Sequence, residues 1–287
     1  MSATIAWNRY GKSRVRLVKV RRPSTGDAPS GQASDHELVD LTIDIQLEGA
    51  FEPVYVAGDN SGCLPTDTMK NTVYALARQD PIEHVESFAA RLAAHFAAKP
   101  GVTRARISAS EARWARLSAG HRPHPHAFVQ SGAEEWTTSV VHDAGAATIV
   151  SGLTNLVVLK TTESAFSGFP RDEFTTLPET RDRILATSMT AAWTYRPGAT
   201  QFGARHRIRA ALLETFAVHE SESVQHTLYA MAEAALAACQ DILDITLTMP
   251  NRHHILVDLK PFGLDNPNEV FVATDQPFGL IEATVRR

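Results

Sequence analysis

Residues 80–101 read D-P-I-E-H-V-E-S-F-A-A-R-L-A-A-H-F-A-A-K-P-G, and this stretch decides the fold. Asp80 is placed to cap a helix, Pro81 to take its first turn and Glu83 to complete a capping-box pattern. Ile82, Val85, Phe88, Leu92 and Phe96 recur at helical spacing and form one apolar stripe, which Pro100-Gly101 ends. A helix with one apolar stripe has to lie on something apolar, and the flanking sequence supplies it. Immediately upstream, T-D-T-M-K-N-T-V-Y-A-L-A-R-Q reads as a second helix, with Thr66 or Asp67 as cap and Met69, Val73 and Leu76 or Ala77 as its apolar positions. Further upstream, Y-G-K-S-R-V-R-L-V-K-V from Tyr10 and E-L-V-D-L-T-I-D-I-Q-L-E over Glu37–Glu48 alternate with period two. They read as paired antiparallel strands joined by a long Pro/Gly/Ser-rich loop over Arg22–Ser34. Downstream, Thr103–Leu117 and Ala127–His142 are strand-like, with Trp114 and Trp136 near their ends.

The second half repeats this order. Thr148–Lys160 and Ile184–Tyr195 read as strands, Gln201–Val218 and Glu222–Gln240 as helices, and Ile242–Met249 with Ile255–Leu259 as closing strands. The last helix shows Val224, Leu228, Met231, Ala235 and Cys239 on one face. The pattern predicts an α+β protein of two similar domains, 1–140 and 141–287, each a four-stranded antiparallel sheet with two helices on one face. The repeat lies in the order of elements rather than in the residues.

Composition bounds the function. The 287 residues are 44% hydrophobic and 21% charged, a globular balance. A net charge of -4 argues against nucleic acid as the main partner, so an anion site has to be local. The two cysteines, Cys63 and Cys239, stand far apart in no spaced motif, which fits a reducing cytoplasm. The N-terminus has no signal pattern, no apolar run approaches the roughly eighteen residues that span a bilayer, and the C-terminal T-V-R-R is no peroxisomal tripeptide. These features point to the cytoplasm.

Between the strands of the second half lies Lys160–Thr187, K-T-T-E-S-A-F-S-G-F-P-R-D-E-F-T-T-L-P-E-T-R-D-R-I-L-A-T, with neither helical nor strand periodicity. Such a loop presents groups. A ring such as Phe166 near an arginine fork such as Arg183 suits a planar anion, although the same residues also read as loop packing and solvated charge. Elsewhere the polar groups without an evident core role are Lys12, Thr66, Asp67, Gln225, Asn251 and His253. Taken singly they read as a strand lysine, a helix cap, an exposed glutamine, a turn asparagine and a surface histidine. H-R-P-H-P-H at 121–126 looks like a metal tract, but its prolines hold it extended and no cysteine or acidic residue stands beside it in sequence. His253 and His254, adjacent on a strand, point to opposite faces and are a poor chelating pair.

Together these motifs carry a resemblance. Y-G-K near the start, T-D-T-M-K-N-T, H-P-H-A-F, the whole of 160–187, S-V-Q-H-T-L-Y-A-M-A-E and L-T-M-P-N-R-H-H-I-L-V-D-L resemble, in this order and over essentially the full chain, the urate oxidase (uricase) family. The resemblance implies two tandem T-fold (tunnelling-fold) domains, a homotetramer with active sites at subunit interfaces, and oxidation of urate by dioxygen and water to 5-hydroxyisourate and hydrogen peroxide without a cofactor. Position by position it implies that urate stacks on Phe166, that Arg183 and Gln225 grip one edge, and that Val224 and Leu177 line the pocket. Thr66 and Asp67 meet the opposite edge from a neighbouring subunit, Lys12, Thr66 and His253 relay protons, and Asn251 holds water or dioxygen above the ring. Phe169 and Phe174 are then left to pack the loop.

The Arg22–Ser34 loop and the S-G-C-L-P segment before Thr66 depart from the family pattern, as does Arg181, which stands where the pattern has an aromatic residue. Two other readings stay open on residues alone: a zinc-dependent pterin enzyme of the same fold, which needs a three-histidine site, and a catalytically inactive purine-binding tetramer.

Overall fold

The computed structural model describes residues 3–22, 35–200, 202–274 and 276–287. Residues 23–34, most of the predicted connecting loop, and Gln201, the predicted start of a helix, lie outside the described residues. The chain divides into two compact units, Met1–Gly152 with Pro197–Phe202, and Leu153–Arg196 with Gly203–Arg287.

In the first unit β1 (Tyr10–Arg21), β2 (Glu37–Gly49), β3 (Val102–Ala119) and β4 (Arg122–Asp143) form consecutive antiparallel neighbours. Between β2 and β3 the chain makes α1 (Glu52–Val56), α2 (Thr66–Gln79) and α3 (Val85–Ala97). The alternation along β2 explains the layering. Leu41, Ile43, Ile45 and Leu47 are all 0% exposed, while Thr42, Asp44, Gln46 and Glu48 between them stay partly exposed. A one-residue slip would turn the buried set to water, so the pattern locks the register. Met69, Val73 and Ala77 of α2 and Phe88, Leu92 and Phe96 of α3 fill the other side of this core. Each large apolar side chain so buried contributes about 1.5–3 kcal/mol.

Two helix starts differ from the sequence reading. Pro65, not Thr66 or Asp67, is the N-cap of α2, so Thr66 already lies in the first turn. Asp80 does not cap α3. Its N–H closes α2 onto the Leu76 carbonyl, and its carboxylate accepts the N–H of Ile82 at 2.7 Å. Ile82 then adopts a left-handed φ of 54°, which a helix cannot contain, and α3 starts only at Val85. The apolar stripe is nevertheless as read, with Ile82, Val85, Phe88, Leu92 and Phe96 all buried.

The second unit is built likewise from β5 (Ala146–Lys160, from Leu153 onward), β6 (Leu185–Tyr195), α4 (Arg205–Val218), α5 (Val224–Ala238) and β7 (Ile242–Pro250). The stripe Val224, Leu228, Met231, Ala235 and Cys239 is buried, as are Ile208, Leu212 and Phe216 of α4. The closing strand is not Ile255–Leu259. After Pro250 the chain leaves the sheet as β8 (His253–Leu256), which pairs with β9 (Phe271–Thr274) in a separate two-stranded ribbon. The place beside β7 goes to β10 (Leu280–Arg286), completing the order β5-β6-β7-β10. Only Ile281 and Val285 of β10 are partly buried, so its apolar signal is faint. Each unit is thus a four-stranded antiparallel sheet with a pair of main helices.

Candidate active site

In the first unit Lys12 sits on β1 just after Gly11. A Cβ at Gly11 would lie 1.8 Å from the carbonyl oxygen of Ile45, so only glycine allows β1 its approach to β2 here. Strand register slips between Lys12 and Val15, where Arg14 takes a φ of 56° and donates its N–H to the Asp44 carboxylate at 2.7 Å. The bulge therefore begins at Lys12, and bulges re-aim side chains at functional edges.

Helix α2 packs on β1 and brings Thr66 and Asp67 to the same region. Proline has no side-chain acceptor to offer as a cap, and no side chain caps this helix, so its first amides point outward unspent. Asp67 turns its carboxylate to Lys70 at 2.6 Å and Asn71 at 2.9 Å. The hydrogen bond and charge of Lys70 are the chief causes that hold Asp67 below the usual carboxylate range, and the charge of Lys12 adds to them. The Asp67 side chain is thus engaged along its own helix, and the group it leaves for a ligand is its backbone N–H. Upstream of Thr66, the N–H of Leu64 donates to the Tyr10 hydroxyl at 2.9 Å.

In the second unit the 160–187 loop is held by a ladder of short contacts. Phe166 and Thr180 exchange backbone hydrogen bonds of 2.8 and 3.1 Å. Ala165 N–H donates to Ser221 and Ser221 N–H to Glu163, which seats the loop on the entry to α5. The Asp182 carboxylate accepts from Thr162 Oγ1 and from Glu163 N–H, fixing the residue just before Arg183. Phe169 stacks on Phe166, with centroids 4.9 Å apart and planes 16° apart. The Arg183 guanidinium lies over the Phe166 ring, 5.3 Å from its centroid. Burial draws Arg183 below the ordinary arginine value, and its Nε is buried with no hydrogen-bond partner among the described residues. A buried donor without an acceptor costs about 1–3 kcal/mol, so the fork is primed for an acceptor from outside the chain.

Ser223 caps α5 by accepting from His226 N–H at 3.1 Å. Val224 is buried in the first turn and Gln225 beside it is exposed. Asn251 bridges Thr187 on β6 and donates its N–H to Gly279. Its side-chain Nδ2 lies 3.4 Å from Nδ1 of His253. Thr187, fully buried, leaves Oγ1 without a partner among the described residues. Leu177 is 51% exposed. Phe174 is 81% exposed and does not pack the loop; Asp172, accepting from Phe174 N–H and Thr175 Oγ1, holds a turn that lifts it outward.

The predicted residues divide between the units: Lys12, Thr66 and Asp67 lie in the first, and Phe166, Leu177, Arg183, Val224, Gln225, Asn251 and His253 in the second, where Phe166 meets Arg183 and Asn251 meets His253. The sequence reading does not reach the residues that hold these sets in place: Tyr10, Asp182, Ser221 and Thr187. Their signals are contacts between residues distant in sequence, which leave no spacing to read. Among the described residues no group of three His, Cys, Asp or Glu side chains is arranged to hold a metal ion, and Cys63 and Cys239 are free thiols. No helix among them is long and apolar enough to cross a membrane.

Comparison with known proteins agrees with the motif resemblance. The family model described as Uricase matches residues 8–141 and again 149–282. A uricase of Arthrobacter globiformis is 45% identical over 282 residues, covering 98% of this chain and 89% of the relative. One from Aspergillus flavus is 38% identical over 295 residues, covering 97% and 95%. The crystal structure of uricase from Arthrobacter globiformis superposes with a TM-score of 0.92 at 43% identity, covering all of this chain and 96% of that one.

Proposed function

The chain belongs to the uricase family, and from that premise we propose that it oxidises urate with dioxygen and water, giving 5-hydroxyisourate and hydrogen peroxide, with no metal or organic cofactor. The observation that carries the reading is the pairing of a half-buried ring with a cation whose buried Nε lacks an acceptor, Phe166 with Arg183. A planar, electron-rich anion satisfies both at once, by stacking and by a charge-assisted hydrogen bond.

On this reading urate stacks on Phe166, and Arg183 and Gln225 hold one edge of it. Val224 and Leu177 bound the pocket. The opposite edge meets the uncapped N-terminus of α2, where the amides of Thr66 and Asp67 donate to it. Asn251 holds the water or dioxygen, and Lys12, Thr66 and His253 carry protons to and from the reacting centre. The substrate anion supplies the electrons that reduce dioxygen, so the residues' task is to bind, orient and move protons. In keeping with the family pattern, we propose that the working site forms between subunits of a homotetramer. In favour of assembly, Ile255, Leu256, Val270 and Val272, in or next to the β8–β9 ribbon, are 43–54% exposed in the single chain. An apolar stretch of that extent is what a second copy would cover.

The test is urate's ultraviolet absorbance with purified, metal-stripped protein in air, read beside a peroxide assay. Loss of urate with one peroxide formed per urate supports the reading. Unchanged absorbance, or loss without peroxide, refutes it, and one tightly held zinc per chain would favour the pterin-enzyme alternative. Light scattering that finds a stable, active monomer would remove the shared site.

A further inference from the structure

We propose that Tyr10 is a positioning residue for the proton relay: its hydroxyl holds the turn that carries Thr66 against the strand that carries Lys12, and so sets the spacing of the two. The inference rests on the function proposed above. Tyr10 and Lys12 are two apart on β1 and so project to the same face, while Leu64, which Tyr10 holds, stands two residues before Thr66. The other hydrogen bonds of residues 59–66 described here stay local: Asp59 N–H to Pro53, Ser61 N–H to Asp59 and Cys63 N–H to Asn60. Pro65 has no N–H to give. Among the described residues the Tyr10 hydroxyl is thus what ties this turn to β1, through the 2.9 Å bond from Leu64 N–H and its contact with the Cys63 thiol.

Tyr10 is itself well fixed. Its ring stands edge-on to Phe51, with centroids 4.7 Å apart at 89°, and Phe51 is 1% exposed. Burial, and then its hydrogen bond with the Cys63 thiol, push the phenol up to about 12. At neutral pH it is therefore a neutral hydroxyl, able to accept from Leu64. The helix that follows has no side-chain cap of its own, so its start is located by the turn before it rather than by Thr66. The segment S-G-C-L-P, which departs from the family pattern, is the segment that Tyr10 holds.

Tyr10→Phe keeps the ring on Phe51 and removes the acceptor. Turnover is expected to fall by about tenfold, the scale of one hydrogen bond or a small misplacement at a reacting group, with anaerobic urate binding changed less than about twofold. In a Thr66→Ala background the same substitution should cost less than about twofold, because the group it positions is gone. A purely structural tyrosine would lower Tm in both backgrounds and leave turnover per folded molecule alone, and that result overturns the proposal. So does a full tenfold loss in the Thr66→Ala background. Should Tyr10→Phe fail to fold, hydrogen exchange in the wild-type protein decides: protection of the Leu64 amide supports the bond, and exchange at the rate of an open peptide removes it. A wild-type protein inert toward urate would sink the parent reading. A wild-type protein that oxidises urate, beside a Tyr10→Phe variant of equal turnover, would sink this one alone.

Discussion

Arg183→Ala separates the binding role of the loop from its folding role. In the free protein the guanidinium lies over Phe166 and its Nε has no acceptor, so the side chain brings the fold a cation–π contact and an unmet donor together. The contact is worth about 0.5–1 kcal/mol at a partly exposed site, and an unmet donor costs about 1–3 kcal/mol, so removing both should leave stability nearly unchanged or slightly raised. With urate bound the balance shifts, because the fork now has an anionic acceptor. Hydrogen bonds to a charged group contribute about 1.5–3 kcal/mol, which at about 1.4 kcal/mol per decade is a loss of about 10- to 150-fold in affinity. Anaerobic titration of urate, where no turnover intrudes, measures it directly, and a thermal melt measures the other side. Arg183→Lys keeps the charge without the planar fork and should fall between the two. Wild-type affinity in Arg183→Ala would refute the assignment, and so would an affinity loss matched by a collapse in Tm.

Lys12→Met should chiefly lower kcat while anaerobic urate binding stays within about twofold, since an apolar side chain of similar length fills the place and only the proton carrier is lost; unchanged turnover removes Lys12 from the relay. Gly11→Ala places a Cβ 1.8 Å from the Ile45 carbonyl oxygen, so β1 must part from β2 at the cost of about 1–3 kcal/mol, read as a lower denaturation midpoint together with reduced turnover; a wild-type midpoint would show that the strands already stand apart. For pH, burial is the first cause that lowers both His95 and His219, with Lys99 and Arg91 adding to the first, and His226 and Lys160 to the second. The unfolded chain then takes up protons below about 6.5 before the folded chain does, so stability is full above that pH and declines as pH falls through the window beneath it. Tm measured from pH 7 down to 5 should fall, and His219→Gln should flatten the slope; a rising Tm would reverse the assigned sign.

How much of this was legible in the sequence depends on how many neighbours a signal has. Leu41, Ile43, Ile45 and Leu47 repeat one choice four times because one face of β2 is buried, and the stripe from Ile82 through α3 repeats its choice five times, so both survive reading without a structure. Boundaries set by one group do not. Asp80 has the chemistry of a cap, yet its carboxylate closes on Ile82 N–H in a turn and its N–H ends α2, and nothing in D-P-I-E announces which use prevails. The edge strand Leu280–Arg286 and the ribbon β8–β9 escape for a different reason. Their side chains stay largely exposed in the single chain, so burial wrote little alternation into them. The site divides in the same way. The loop 160–187 announces a ring and a fork for a planar anion, but the role proposed for Lys12 and Thr66 leaves no spacing to read and rests on the long motif resemblance.

That division has a physical basis in the proposed mechanism. A ring, a fork and an orienting asparagine can be assembled along one unit because binding tolerates small errors in each, whereas a proton relay fails when one link is misplaced by a fraction of an ångström. The second unit accordingly secures its set redundantly, through the Phe166–Thr180 pair, the Ser221 contacts and the Asp182 anchor. The first unit ties the turn before Thr66 to the strand of Lys12 through the Tyr10 hydroxyl, and α2 itself to that strand through Tyr74 Oη on the Arg16 carbonyl at 3.2 Å. With one strand bearing both the lysine and the tyrosine that locates its partner, any shift of β1 carries the two together. Relay spacing is then conserved under motion that would disrupt it if Thr66 were held from elsewhere. The same arrangement makes the relay the more fragile half: substitutions at Gly11, Tyr10 or Leu64 should depress turnover before they depress urate binding, whereas loosening the 160–187 loop should act in the opposite order.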